Sequence, residues 1–256
     1  MKRNPWRLVV LAATCGAALS GATAAAAMPV APVGPRLVPG ALVDTLAAGR
    51  SSMVKQLGNT GQLTAFVQVE LAQVTFTADG QSHEVPLPAD GMLRPLLVTP
   101  ARFILPAGGS QLMRMIYRGT REQERYFRLR YRPVAPRAGD VFAATDEDLT
   151  AYGKASHAGV QVLHGYGGVL IVSPEHPYYN TQRVPGANAL VLSNQGNSSV
   201  ILEGLRRCDL KTAACEMPQT VYIRPGRSHG LEKAAGEQWR FELVEGKTRH
   251  ALRYPE

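Results

Sequence analysis

Residues 159–174, GVQVLHGYGGVLIVSP, restrict the fold more than any other stretch. The run opens with period-two alternation, Val160, Val162 and His164 pointing one way and Gln161 and Leu163 the other. Past Gly165, Gly167 and Gly168 it becomes an unbroken apolar run, Val169 to Val172, stopped by Pro174. Alternation marks a strand with one face in water, and a continuous apolar run marks one buried on both faces. A strand exposed at its start and buried at its end closes one β-domain, leads into a second, and offers its exposed half to another protein.

The remaining patterns have the same period. Residues 125–134, RYFRLRYRPV, alternate strictly, with Tyr126, Arg128, Arg130 and Arg132 against Phe127, Leu129 and Tyr131. That arginine row is either a solvated face or a basic lining for an acidic partner group. Over residues 62–75, Ala65, Val67, Val69 and Leu71 form an apolar face, with Phe66, Gln68, Glu70 and Ala72 on the other. In residues 112–117, Met113, Met115 and Tyr117 oppose Leu112, Arg114 and Ile116. Turn signals such as Asn59-Thr60-Gly61, Asp79-Gly80, Ala107-Gly108-Gly109 and Asn194-Gln195-Gly196 separate short apolar runs, and no long 3.6-residue periodicity appears. The class is all-β. Residues 135–158, polar and partly acidic (Asp140, Asp146, Glu147, Asp148), read as a long functional loop.

The first residues are a targeting signal. Lys2, Arg3 and Arg7 precede an apolar stretch at residues 8–18 and a small-residue end at residues 22–27, the layout of a secretory leader cleaved after Ala27. Its apolar part falls short of the roughly 20 residues a spanning helix needs, so a soluble, exported protein without membrane insertion is expected. Cleavage removes three basic residues from 28 and none of the 20 acids, leaving 25 against 20 and lowering the formal charge from +8 to +5. The arginines are scattered with no aromatic-interleaved basic run, which argues against nucleic-acid binding. Cys15 leaves with the leader, and Cys208 and Cys215 fit neither a C-x-x-C redox motif nor a zinc site, so a structural disulfide is expected in an oxidising compartment. A mature chain of about 229 residues exceeds the common domain size. The expected division is a leader (1–27), a proline-rich lead-in (28–40), a first domain with the opening strand (41–174) and a second domain with the disulfide (175–256).

LLVTPARFILPAGGSQLMRMIYRG at residues 96–119 and ERYFRLRY at 124–131 resemble the periplasmic pilus-assembly chaperones of the chaperone–usher pathway, most closely the alternate branch serving common-pilus and class 5 fimbriae. MVKQLGNTG (53–61), GVLIVSP (168–174), SNQGNSSVIL (193–202), the cysteine pair and IRPGRS (223–228) follow in the family's order, so the resemblance spans nearly the whole mature chain. It implies two immunoglobulin-like β-sandwich domains set at an angle, a periplasmic location, and partners that are pilus subunits and an outer-membrane usher. It also implies a mechanism, in which the last strand of the first domain completes a subunit's unfinished sandwich by β-augmentation. No cofactor, metal or catalysis is involved. On this resemblance the strand donated to the subunit carries Val160, Val162 and His164. The basic group that holds the subunit's terminal carboxylate is Lys55 first, with Arg130 and Arg132 as weaker candidates. Here the chain departs from the best-known branch, since Val169 stands where a lysine is expected and the strand near Val43 has no basic residue. The alternative for Lys55 is an exposed surface lysine.

Two rival functions were weighed. An enzyme lacks support, because no G-x-S-x-G, H-E-x-x-H or phosphate-binding glycine loop frames the six histidines or Ser173. A pilus structural subunit or adhesin would also be exported, β-rich and disulfide-bonded, but calls for a donor segment at the mature N-terminus and a single incomplete sandwich.

Overall fold

Short apolar runs bounded by glycine and proline form strands in a computed structural model that describes residues 34–136, 142, 145–156 and 163–255. The leader, and with it the first part of the proline-rich lead-in (residues 28–33), lies outside the described residues. In chain order the first ten strands are β1 (Leu37–Val38), β2 (Val43–Leu46), β3 (Ser52–Asn59), β4 (Ala65–Phe76), β5 (Ser82–Pro86), β6 (Leu96–Thr99), β7 (Arg102–Leu105), β8 (Ser110–Tyr117), β9 (Arg125–Val134) and β10 (Tyr166–Val172). They make a four-stranded sheet, β1-β3-β8-β6, facing a six-stranded one, β2-β10-β9-β4-β5 with β7 also on β4. The alternation read in β8 and β9 is realised: Met113, Met115, Phe127, Leu129 and Tyr131 are buried between the sheets, each worth roughly 1.5–3 kcal/mol in the area-transfer view. Leu37, inside the proline-rich lead-in, belongs to that core.

A second pair of sheets follows. β11 (Thr181–Pro185), β12 (Ala189–Asn194) and β15 (Ser228–Glu232) form one, and β14 (Gln219–Ile223), β13 (Val200–Asp209), β16 (Glu237–Glu245) and β17 (Thr248–Tyr254) the other. Leu192, Val200, Leu202, Leu231 and Phe241 form a separate core between them. The disulfide expected from the spacing is present, joining Cys208 to Cys215.

Residues 135–158 were expected to be loop throughout. The structure has α1 (Asp146–Ser156) there. Asp146 and Glu147 in its first turn suit the positive end of a helix dipole, and Thr145 with Asp148 three residues on is a helix-start signal in the sequence. The segment also explains why Phe66, assigned to the polar face of β4, is only 1 % exposed. Phe142 and Tyr152 pack edge-on against its ring at 5.7 and 5.8 Å between centroids.

The two sandwiches share a buried asparagine lock that period-two reading cannot reveal. In the first, Asn59 Oδ1 accepts from the amides of Arg36 and Gly61, both at 3.0 Å, and its Nδ2 donates to Leu63 and Leu105 carbonyls at 2.8 and 3.1 Å. In the second, Asn194 Oδ1 accepts from Gly196 at 2.9 Å, and Nδ2 donates to Ser198 and Ile223 carbonyls at 2.8 Å each. The glycine two residues on is required in both, because the incoming chain crosses it. A Cβ at Gly61 would stand 2.3 Å from the Gly34 carbonyl, and one at Gly196 2.3 Å from that of Tyr178.

Candidate functional site

The site is built where β10 begins. β10 pairs with β9 along its whole length, Tyr166 to Val172. Its parallel neighbour β2 covers only Val169 to Val172. Among the described residues, Tyr166 and Gly167 therefore have a strand partner on one side only, whereas Gly168 is already buried against the Leu42 backbone. Leu170 and Val172 are fully buried and Ile171 is 4 % exposed, as the apolar run requires.

The strand was expected to start in the Val160–His164 alternation. Among the described residues it starts at Tyr166; His164 is exposed and precedes it without strand pairing. Val160 and Val162 lie outside the described residues.

Lys55 is not a surface lysine. It is 7 % exposed, on the inward face of β3. Its ammonium donates to Asp44 Oδ2 and to the Ala41 carbonyl, both at 2.6 Å. Because β2 belongs to one sheet and β3 to the other, this ion pair ties the two sheets together beside the open end of β10. Tyr131 shares the inward face, and its buried hydroxyl has no hydrogen-bond partner among the described residues. Burial, then the Asp44 carboxylate, push that hydroxyl's pKa up. In the second sandwich, burial, then Glu203 and the same Asp44 carboxylate, raise the Tyr222 hydroxyl's pKa. Sequence alone did not pair Asp44 with Lys55. The visible signal was an acid directly after Val43, in the strand noted for lacking a base.

Arg130 and Arg132 lie elsewhere, on the outward face of the six-stranded sheet. Arg130 pairs with Glu84 at 2.5 Å, Arg128 with the same Glu84 at 3.3 Å, and Arg132 with Glu70 at 2.7 Å. Arg130 holds the Glu84 carboxyl below its usual range. The arginine row is thus a solvated face whose charges are met by glutamates of β4 and β5, and neither residue joins Lys55.

The sandwiches meet through Glu124, which accepts from the Ser199 amide at 2.8 Å and from the hydroxyls of Ser199 and Tyr126. From the other side, Arg224 lies over the Phe76 ring, 3.3 Å from its centroid. Arg227 donates to the Ala78 carbonyl at 2.8 Å in the turn between β4 and β5. These contacts hold the two sandwiches against each other. Among the described residues no group of three or more His, Cys, Asp or Glu side chains is placed to hold a metal. No described helix is long and apolar enough to cross a membrane.

No protein-family model matches the chain. Curated relatives do: probable fimbrial chaperone EcpB of Escherichia coli K12 and of Shigella boydii serotype 4 are each 24 % identical over 200 residues, covering 77 % of this chain and 82 % of theirs. Among solved structures the chain is similar to the class 5 fimbriae chaperone CfaA, with a TM-score of 0.53 at 16 % identity over 85 % of this chain and 98 % of that one. It is also similar to the E. coli chaperone DraB, with a TM-score of 0.51 at 18 % identity over 86 % and 96 %. At these identities the solved structures speak for the fold alone, an all-β pair of sandwiches. The curated relatives bear the name of a chaperone and not of an enzyme.

Proposed function

With similarity to the fimbrial chaperones as the premise, we propose that the protein is a periplasmic chaperone that captures pilus subunits by donor-strand complementation and delivers them to an outer-membrane usher. The observation that carries this is the open edge at the start of β10. A chain segment leading into a strand with one free side can pair with another protein's sheet and insert alternate side chains into its groove. Val160, Val162 and His164 are the side chains so offered. Covering a subunit's unfinished edge also blocks the edge-to-edge pairing that aggregates such proteins.

Lys55 is the anchor for the subunit's terminal carboxylate in this reading. An ammonium has three N–H groups, and among the described residues Asp44 and Ala41 take two, leaving one for the subunit's carboxylate. Arg130 and Arg132 rank below it because each already holds a glutamate. The rival reading, a pilus subunit, calls for a single incomplete sandwich, whereas this chain has two sheet pairs, each with its own core.

Co-expression with the subunits encoded beside it tests the proposal. Val160→Asp with Val162→Asp is expected to abolish subunit recovery in a pull-down while the circular dichroism spectrum and melting temperature stay as in the parent. Lys55→Met is expected to weaken recovery further downstream of capture, by lowering affinity for the free carboxylate form of a subunit. Full recovery with both valines charged sinks the strand assignment; equal affinity with Lys55 replaced sinks the anchor.

A further inference from the structure

The outward face of the second sandwich's larger sheet carries a charge arrangement that subunit capture does not use. Register sets Arg206 of β13 opposite Arg240 of β16, and Arg240 opposite Arg253 of β17. The residues beside them, Leu205, Phe241 and Leu252, face the core, so all three arginines point outward in one row across three strands. One step along the strands, Glu203 faces Glu242, and Arg249 takes both carboxylates, Glu242 at 3.3 Å and Glu203 closer still. Among the described residues none of the three arginines in the row has a carboxylate within ion-pair distance. Arg240 Nε donates only to Gln238 Oε1, at 3.1 Å. The row borders an open cavity of about 430 Å³ whose floor includes Gly204 and Phe241.

Like charges directly opposite each other on neighbouring strands repel and lower stability. Among the described residues no ion pair offsets that repulsion here. Strands lie about 4.8 Å apart, so the row spans roughly 10 Å and presents planar forks suited to carboxylates. We propose that it binds a short acidic segment of a protein partner, an extended stretch with carboxylates on alternate residues, about 7 Å apart. The Glu203–Glu242 row beside it limits what fits. A long polyanion laid along the strands would run from the arginines onto two glutamates, whereas two or three carboxylates lying across the strands meet arginines only.

The test uses the full mature chain and a labelled peptide alternating Glu and Thr, followed by fluorescence anisotropy at low and at moderate salt. Saturable binding that weakens with salt is expected, and Arg206→Gln/Arg240→Gln/Arg253→Gln is expected to lose about tenfold or more in affinity. Removing the same charge elsewhere, with Arg50→Gln/Arg102→Gln/Arg183→Gln, is expected to leave binding in place. Arg240→Gln alone, at the centre of the row, is expected to raise the melting temperature by relieving repulsion. Equal loss in both triple variants, unchanged binding in the first, a lower melting temperature for Arg240→Gln, or tighter binding of a single-stranded oligonucleotide than of the peptide overturns the proposal.

Discussion

Replacing Asn59 with Ala isolates the lock of the first sandwich. The side chain is 1 % exposed, and its loss strips partners from the amides of Arg36 and Gly61 and from the carbonyls of Leu63 and Leu105. Groups near the surface regain water. The Leu105 bond is buried, and a buried group left unpaired costs about 1–3 kcal/mol. Allowing two such groups gives a loss of about 2–6 kcal/mol, at the upper end of what single substitutions do. For a unit of this size that is a fall of roughly 10 °C or more in melting temperature. The chain has two tryptophans; Trp6 lies in the leader, so in the mature protein Trp239 alone reports, from the second sandwich. Circular dichroism follows both sandwiches and tryptophan fluorescence follows the second, which separates their transitions. The expected result is an early transition seen by circular dichroism. A change within about 0.5 kcal/mol, the range of an ordinary surface substitution, refutes the lock.

Two further outcomes are expected. Glu124→Ala removes the acceptor for the Ser199 amide and hydroxyl, so the sandwiches should loosen by about 1–3 kcal/mol and the solution X-ray scattering profile should broaden; an unchanged profile refutes that joint. Burial holds the half-buried His229 imidazole below its ordinary 6.5, so the unfolded chain takes up a proton more readily than the folded one. The histidine's contribution to stability is then complete above 6.5 and is lost as pH falls through the lower folded value. His229→Asn should flatten the acid limb of the melting-temperature profile, and an identical limb refutes the assignment.

What could be read in advance follows from how far each signal reaches along the chain. β9 matched residues 125–134 because buried Phe127, Leu129 and Tyr131 alternate with charged neighbours inside one short window. β5 escaped notice because every one of its residues is exposed and no alternation exists to detect. β15 escaped because Gly230 sits at its centre and only Leu231 is buried. The site divides the same way. Lys55 was visible as a motif position, whereas its burial and its bond to Asp44 depend on two strands from opposite sheets meeting. The unpaired Leu163–Gly165 segment before β10, with His164 and Gly165 exposed, shows how alternation can be read as pairing where the described structure has no strand.

The asparagine locks also order the folding of a chain that is made from its N-terminus. Asn59 precedes one of its acceptors in the chain, since the Leu105 carbonyl lies 46 residues further on. A chain exported N-terminus first leaves that side chain bonded to water until the later stretch follows. The chain that passes over Gly61 can therefore be clamped only after the turn before β8 exists, although it is among the first segments made. Asn194 waits in the same way for Ile223, 29 residues later. Each lock thus closes only once a later stretch of its own sandwich has arrived, and until then the place of the crossing segment is vacant for any other extended segment to occupy.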